Sequence, residues 1–257
     1  MTRLPICLSK MRCHLLLILA LGAHAEPVLI PAGKFTMGRS KLTADDKTTM
    51  RPQILLDDRP LHEVAISAFY FDSHEVTQEQ YAGFVVAKKH RPPYHWLAGR
   101  MPPELAKIPV YNVTWDDAKA FCEARGARLP SEAEWERAAR GGLDGQDYPW
   151  GDKFDGKLLR SNVESGPEQV GKHPPNGLGL YDMAGNVSEW TADYFEREYY
   201  AKSPAVDPAG PAEGIYRIIR GGAWSDSPKR VTVYFRNWVR PIQRQANIGF
   251  RCAQSVR

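Results

Sequence analysis

Two helix-starting signals lie close together between residues 109 and 142, and they constrain the fold more than any other part of the sequence. Thr114 stands three residues before Asp117, and Ser131 stands three residues before Glu134, which is the spacing of a capping box. Apolar residues follow each cap at helical intervals until a glycine ends the run. The sequence therefore predicts two short helices, each with one buried face. Caps and apolar stripes report folding, so we interpret this pair as scaffold.

The other predicted elements are short and widely spaced. Thr77 and Gln80 form a third capping box and predict another helix. Residues 28–38 are expected to form a hairpin around a Pro-Ala-Gly turn, and alternating apolar residues predict a strand over 62–71. Three further strands are expected, over residues 217–219, 231–235 and 248–252. Because 21 glycines and 20 prolines punctuate the chain, we expect one domain with much irregular structure.

The N-terminal segment, residues 1–25, has the composition of a cleavable secretory signal. Three basic residues precede an apolar run over 15–21, and small residues follow that run. The run is short for a permanent membrane span, and an uncleaved N-terminal anchor is the alternative. We therefore expect an exported protein, periplasmic or secreted, whose mature domain covers residues 26–257 and has no membrane span.

Loss of this segment removes three positive charges and no acidic residue, which lowers the formal net charge from +4 to +1. A nearly neutral chain does not favour nucleic acid as a partner. Only Cys122 and Cys252 remain after cleavage. Because an exported chain with two distant cysteines more often forms a disulfide than keeps two free thiols, we expect these residues to be bonded.

Local motifs for catalysis are missing, and two weaker patterns remain. The sequence has no H-E-x-x-H and no G-x-S-x-G. Asp182 and Glu189 flank a glycine turn and could bind calcium, although two solvated carboxylates beside a packed Trp190 would give the same pattern. Arginines lie among aromatic residues over 220–251. They could recognise a carboxylate, a sulfate or peptide carbonyls, or they could pair with acidic residues to hold irregular backbone.

Eight motifs occur in order over nearly the whole mature chain, and together they resemble the formylglycine-generating enzyme, or sulfatase-modifying factor, family. They are IPAGKFTMG, RPLHEVAISAFYFDSHEVTQEQYAGF, PVYNVTWDDAKAFC, RLPSEAEWERAARGG, YPWG, PPNGLGLYDMAGNVSEWTADYF, RGGAW and IGFRC. The resemblance implies one α+β domain related to the C-type lectin fold, with little regular secondary structure. It also implies that Cys122 and Cys252 form the structural disulfide of the family.

The resemblance further implies bound calcium. One ion would have four ligands, the middle two acting through backbone carbonyls: Asp182, Gly185, Val187 and Glu189. A second position would begin at Asn162 and Val163, but the segment that follows is short and lacks the downstream aspartate expected of the family.

Formylglycine generators oxidise a cysteine of a sulfatase peptide, and they use copper held by two cysteines that follow an Arg-Gly-Gly turn. Residues 225–231 occupy that region here and contain no cysteine. A hydroxyl or carboxylate cannot replace a thiolate pair for soft Cu(I). We therefore expect no copper and no formylglycine-generating activity.

Two functions remain open. The chain could be an exported enzyme of another reaction, such as the oxidative tailoring of secreted peptides like pyoverdine-type siderophores. It could instead be a non-catalytic, lectin-like module that binds a peptide, an envelope protein or a glycan. The residues expected to line the shared cleft are Trp224, Ser225, Asp226, Arg236 and Arg240. In the enzyme, Asp226 would act as a base or polar anchor, and the arginines would hold anionic groups of the substrate.

Overall fold

Three α-helices begin at the three predicted capping boxes. The structure is a computed structural model that describes residues 27–39 and 57–256, so the predicted signal segment lies outside the described residues. The helices are α1 (Gln78–Lys88), α2 (Trp115–Ala124) and α3 (Glu132–Arg140). In each, the N-cap hydroxyl accepts a hydrogen bond from the third helical N–H, and the side chain at that position accepts one from the N-cap N–H. The local sequence therefore fixes where all three helices start.

The strands of the described residues are short and form three small sheets. Their bounds are β1 (Pro27–Ile30), β2 (Gly33–Met37), β3 (His62–Ile66), β4 (Phe69–Asp72), β5 (Ser188–Tyr194), β6 (Arg217–Arg220), β7 (Asn237–Val239), β8 (Ile248–Gly249) and β9 (Ala253–Ser255). The strand orders are β1-β4-β9, β2-β3 and β7-β6-β5-β8. The pairing of β5 with β8 is parallel, and the other pairings are antiparallel. The α+β class is confirmed, with few helices and much irregular backbone.

The expected hairpin over residues 28–38 is wrong. β1 pairs with β4 and β2 pairs with β3, so Ile30 lies opposite Phe69 and Gly33 lies opposite Ile66. Pro31 has no N–H to donate, and the strands are interrupted at residues 31–32 and 67–68, which lie at the same level. At this level both segments pass from one sheet to the next. The predicted single strand over 62–71 is divided at this break.

The C-terminal strand predictions are only partly right. Residues 217–219 lie in β6 as expected, but residues 231–235 form turns, and the strand β7 begins only at Asn237. Val231 and Val233 are buried, so the apolar pattern of this segment reflects packing in the core and not a strand. Only Ile248 and Gly249 of the expected strand over 248–252 form a strand, β8, and the next strand, β9, begins at Ala253 in a different sheet.

Two large apolar cores hold these elements together in the described part of the chain, and a smaller cluster lies around Tyr148. One packs α3 against the strands β1 to β4 around Trp135, and the other packs α1 and α2 around Tyr81, Phe121 and Phe250. The predicted disulfide lies in the second core, where it joins Cys122 of α2 to Cys252 with a Cα–Cα distance of 5.6 Å. The bond fixes the C-terminal strands to the helical half of the domain.

No helix in the described part of the chain has the length and apolar content needed to cross a membrane.

Candidate functional site

A tight turn follows β6 and presents the first three candidate residues. Gly221 and Gly222 have φ angles of 90° and 66°, and a Cβ on Gly222 would lie 2.5 Å from the carbonyl oxygen of Arg230. Only glycine fits this conformation and this close approach. The chain therefore reverses direction and presents Trp224 half-buried and Ser225 exposed.

Asp226 closes this turn with its own side chain. Its Oδ2 accepts a hydrogen bond of 2.9 Å from the N–H of Ala223, and its N–H donates to the Ala223 carbonyl at 2.9 Å. Its Oδ1 lies 3.5 Å from a guanidinium nitrogen of Arg230, which is itself exposed. Burial raises the pKa of Asp226 above its ordinary value. The carboxylate therefore stabilises the turn, and one oxygen remains beside an exposed cation.

Arg236 does not lie at this turn, so its predicted role in holding substrate anions is wrong. Its side chain is 1% exposed. Its Nε and Nη2 donate to the two carboxylate oxygens of Glu132 at 2.7 and 3.0 Å. Arg236 is a buried cation that neutralises the charge of Glu132 in α3. The sequence analysis left this alternative open, in which the arginines pair with acidic residues to hold irregular backbone. Arg240 is exposed.

A short segment, residues 245–247, connects the turn to a group of polar aromatic residues. The indole N–H of Trp224 donates to the Ala246 carbonyl at 3.5 Å, and the amide of Asn247 donates to Ser225 Oγ at 3.5 Å. On its other side, the Gln245 carbonyl accepts from the N–H of Asn112 at 3.0 Å. The turn and the surroundings of Asn112 are therefore neighbours.

That neighbouring group, which we call the aromatic wall, consists of Tyr94, His95, Tyr111 and Asn112. The Tyr94 hydroxyl donates to Asn112 Oδ1 at 2.7 Å, and Asn112 Nδ2 lies 3.3 Å from His95 Nδ1. The rings of His95 and Tyr111 stack at 4.3 Å. Burial lowers the pKa of His95 to about 4, so the imidazole is neutral at pH 7. Its Nε2 is buried without a hydrogen-bond partner among the described residues.

The cleft residues expected from the sequence do not include the residues of the aromatic wall. Tyr94 is 64% exposed, whereas the nearby Trp96 is 4% exposed and Asn112 is 3% exposed. A signal was present in the clustering of aromatic and polar residues over 94–96, but nothing local linked that cluster to the distant turn.

Three of the four predicted calcium ligands lie on the loop that leads into β5, and Glu189 is the second residue of that strand. Asp182 Oδ2 accepts a hydrogen bond of 2.6 Å from the N–H of Gly171. Glu189 is 1% exposed, and its oxygens accept from Arg251 at 2.7 Å and from the Trp135 indole at 2.8 Å. Gly185 has a φ of 81°, and a Cβ there would lie 2.3 Å from a backbone oxygen, so the loop requires glycine.

Glu75 is an acidic neighbour of this loop that sequence reasoning missed. It is fully buried and accepts hydrogen bonds from Asn186 Nδ2 at 3.2 Å and from the Val187 N–H at 3.4 Å. Burial raises the pKa of Glu75 well above its ordinary value, and the charges of Asp182 and Glu189 raise it further. Three carboxyl groups therefore surround a loop whose nearest buried cation is Arg251.

This excess of buried acid fits a hard divalent cation in charge and in ligand type. Within residues 27–39 and 57–256, no three His, Cys, Asp or Glu side chains converge on one point, and the predicted ligand set contains only two such side chains. The second calcium position lies elsewhere: the N–H groups of Asn162 and Val163 donate to the Asp226 and Trp224 carbonyls at 3.0 and 2.9 Å. These two residues hold the turn after β6.

The described residues form a single α+β domain with capped helices, three small sheets and an internal disulfide. The chain belongs to the Sulfatase-modifying factor enzyme 1-like domain family, which matches residues 20–256. The predicted family resemblance is therefore confirmed.

Several curated relatives match over most of this chain. The formylglycine-generating enzyme of Streptomyces coelicolor is 34% identical over 290 residues, which cover 89% of this chain and 89% of the relative. The inactive C-alpha-formylglycine-generating enzyme 2 of Mus musculus is 31% identical, covering 93% and 89%. The serine/threonine-protein kinase Pkn1 of Chlamydia trachomatis is 37% identical over 90% of this chain but only 38% of its own length. The chain thus spans well under half of these kinase relatives.

Solved structures share the fold. Treponema denticola variable protein 1 superimposes with a TM-score of 0.73 at 26% identity, covering 90% of this chain and 95% of the other. PvdO from Pseudomonas aeruginosa also gives a TM-score of 0.73, at 28% identity, covering 90% and 94%.

Proposed function

We propose that this chain is an exported member of the family that binds a secreted peptide or a related small molecule and does not carry out copper-dependent formylglycine formation. The observation that carries the proposal is the turn after β6, which keeps its tight double-glycine geometry but presents Ser225 and Asp226 instead of thiols. The composition of residues 1–25 supports export to the periplasm or beyond.

The donors at this turn do not fit copper(I). A soft ion selects thiolates, whereas the turn offers an exposed hydroxyl and a carboxylate that accepts from the Ala223 N–H. The cysteines within the described residues, Cys122 and Cys252, are joined to each other in the core. No step of a reaction is therefore assigned to copper.

Binding is supported by the groups that the turn and the aromatic wall bring together. Tyr94 is largely exposed, and Trp224 and Tyr111 are partly exposed, so flat amphipathic rings border the surface. Ser225, Asn112 and the neutral His95 add hydrogen-bonding groups without adding charge. Aromatic faces interspersed with a few polar groups are typical of sites that bind peptides or sugars.

A titration followed by NMR tests this proposal. Capped tripeptides with aromatic or polar side chains are added to the mature protein, and the indole N–H resonance of Trp224 is followed after its assignment with Trp224→Phe. We expect peptides to shift this resonance, and Tyr94→Ala to weaken binding roughly tenfold, as loss of an aromatic anchor does. Tyr70→Ala, which alters a partly exposed tyrosine of β4, is the control and should leave binding unchanged.

The glycan alternative is a second arm of the same titration. Neutral oligosaccharides that shift the Trp224 resonance, in place of the peptides, would assign the surface to a glycan or envelope partner. The absence of a shift with either class would contradict the binding proposal.

A reaction on the bound molecule, such as oxidative tailoring of a secreted peptide, is the second candidate function. One observation favours it: Asp226 is partly buried, has a raised pKa and lies beside exposed Ser225, so it has the environment of a general base. Asp226→Asn preserves an acceptor for the Ala223 N–H. In a catalytic protein this variant keeps ligand affinity and loses turnover, whereas in a binding module the ligand is recovered unchanged from wild type and variant.

We also infer a structural calcium ion held by Asp182, Gly185, Val187 and Glu189. The proposal is supported by the three buried or nearly buried carboxyl groups of the loop, which exceed the single positive charge of Arg251. Calcium would supply a hard positive charge there and fix a loop that has little regular structure.

A further inference from the structure

A cavity of about 410 Å³ lies on a part of the domain that shares no residue with the turn or the aromatic wall. Its walls come from the break between β3 and β4, the segment before α3, β5, the loop at 207–209 and the end of β9. A second opening of about 200 Å³ lies beside it, and both are bordered by Arg128 and Ser255. The two openings flank the free side of β9.

The free side of β9 carries an unpaired backbone donor and acceptor. Ala253 exchanges two hydrogen bonds of 2.8 Å with Arg128, so its N–H and C=O point away from β4. Because this direction alternates along a strand, the N–H and C=O of Ser255 point to the same side as those of Ala253. Gly126 lies in the turn that ends α2, where its N–H donates to the Glu123 carbonyl, and no described backbone group pairs with Ser255 there. An extended backbone is the partner that these groups lack.

The other large sheet treats its edge differently. At the edge strand β7, the N–H of Trp238 donates to Oδ1 of Asn237 at 2.9 Å, so a side chain occupies the donor. Proteins commonly block exposed strand edges to prevent pairing with other chains. The open pair at Ser255 therefore contrasts with a blocked edge in the same molecule.

The charges of the cavity select the side chain that would enter it. The guanidinium group of Arg128 donates to both carboxylate oxygens of Glu134 at 2.6 and 2.7 Å, so the charges of these two residues largely cancel. Asp207 accepts from the Ser67 hydroxyl at 2.6 Å and from its N–H at 2.7 Å, and no salt bridge to a cation within the described ranges neutralises it. One carboxylate without a salt bridge therefore stands at the wall, and Arg128 acts on it only over a longer distance.

The rest of the lining is largely apolar and includes Leu129, Ala192, Pro208 and Val256. A lysine or arginine side chain matches this combination, because its aliphatic stem covers apolar surface while its charged end reaches a carboxylate. A neutral or acidic side chain would leave Asp207 without a counter-charge.

We propose that this cavity binds an extended polypeptide segment of a partner protein, which pairs with Ser255 as an added strand and inserts a lysine or arginine side chain toward Asp207. Strand addition at an open edge supplies main-chain hydrogen bonds, and the pocket beside it selects the side chain.

The test uses the mature protein and three capped pentapeptides: acetyl-Val-Thr-Lys-Thr-Val-amide and its norleucine and glutamate analogues. Binding is measured from the amide resonances of Ser255 and Arg128. We expect the lysine peptide to shift both resonances and to bind roughly fivefold more tightly than the norleucine peptide, the order expected for a partly exposed ion pair.

Two variants separate the backbone and side-chain contributions. Asp207→Asn keeps an acceptor for Ser67 and should abolish the preference for lysine over norleucine. Ser255→Pro removes the outward N–H without removing a bond to β4, and it should abolish binding of all three peptides. Glu213→Gln, a change at an exposed carboxylate elsewhere, should leave the affinities unchanged.

Four results would overturn the proposal: no shift at Ser255 up to the solubility limit of the peptides, equal affinity of the lysine and norleucine peptides, undiminished binding to Ser255→Pro, or pairing of two copies of this chain through β9 in the free protein.

Discussion

Glu132 and Arg236 form a two-bonded ion pair inside the domain, with Nε–Oε1 and Nη2–Oε2 distances of 2.7 and 3.0 Å and less than 3% of either side chain exposed. The pair joins the first turn of α3 to the segment before β7. Glu132 also lies 3.3 Å from Arg220, which in turn donates to Glu136 at 2.6 Å. The helix that the capping box starts is therefore anchored by buried charges from the distant C-terminal third.

Removal of Arg236 should destabilise the fold. Arg236→Met leaves Glu132 with a single long contact to Arg220, and loss of one partner of a buried pair costs about 3–5 kcal/mol. Arg240→Met is the matched control, because Arg240 is exposed and its loss should change the free energy of unfolding by less than about 0.5 kcal/mol. Urea denaturation of both variants measures the difference. Equal effects would contradict the buried role of Arg236.

The disulfide should contribute strongly to stability. Cys122 and Cys252 are separated by 130 residues, and closing a loop of that length stabilises a fold by about 4 kcal/mol through restriction of the unfolded chain. We expect the Cys122→Ala/Cys252→Ala double variant to lose most of this amount in urea denaturation. Intact-mass analysis of the mature protein without reductant should find no alkylatable thiol, and detection of two would contradict the bond.

Stability should fall as the pH rises from about 4 to about 8, and Asp193 should contribute to this fall. Burial, with repulsion from Glu132, raises the pKa of Asp193 to about 8, whereas the unfolded chain has a pKa near 3.8. Between these values the folded state keeps a proton that the unfolded state releases, so rising pH favours unfolding. Asp57, whose pKa burial raises to about 7, acts in the same direction.

Asp193→Asn tests this assignment, because an amide keeps an acceptor for the Glu132 N–H, which donates to Asp193 at 2.8 Å. The variant should have a smaller loss of stability between pH 5 and pH 8 than the wild type, measured by urea denaturation at each pH. Glu164→Gln, at an exposed carboxylate, should keep the wild-type dependence of unfolding free energy on pH. An unchanged pH dependence of the unfolding free energy in Asp193→Asn would contradict the prediction.

Calcium should raise the thermal stability of the mature protein. At a concentration about 100 times Kd, a ligand that binds only the folded state adds about 2.7 kcal/mol, which corresponds to roughly 5–10 °C in Tm for a chain of this size. Asp182→Asn should lose most of this increase, whereas Glu213→Gln should keep it. A calcium-independent Tm after treatment with chelator would contradict the inferred ion.

Features whose partners lie a few residues away could be predicted from the sequence. Thr77, Thr114 and Ser131 each bond within three residues of themselves, so a local pattern was sufficient to place the start of each helix. The Cys122–Cys252 bond could be predicted because cysteine chemistry and export leave few alternatives.

Features whose partners lie far along the chain could not be predicted from the sequence. Ile30 pairs with Phe69 and not within a hairpin, because the pairing is decided by the sheet as a whole. Arg236 was assigned to a cleft because its partner, Glu132, lies 104 residues away. Glu75 has no local signal of its place beside the predicted calcium loop, since its contacts are with Asn186 and Val187.

The domain belongs to the family but has no cysteine in residues 225–231, where the copper-binding pair of a formylglycine generator is expected. The most direct measurement incubates the mature protein with copper, oxygen, a reductant and a peptide containing Cys-x-Pro-x-Arg, and follows the cysteine by mass spectrometry and by an aldehyde-specific probe. The formylglycine-generating enzyme of Streptomyces coelicolor is the positive control. We expect the cysteine to be recovered unchanged with this protein, and formation of the formylglycine aldehyde would show that the domain generates formylglycine without the cysteine pair.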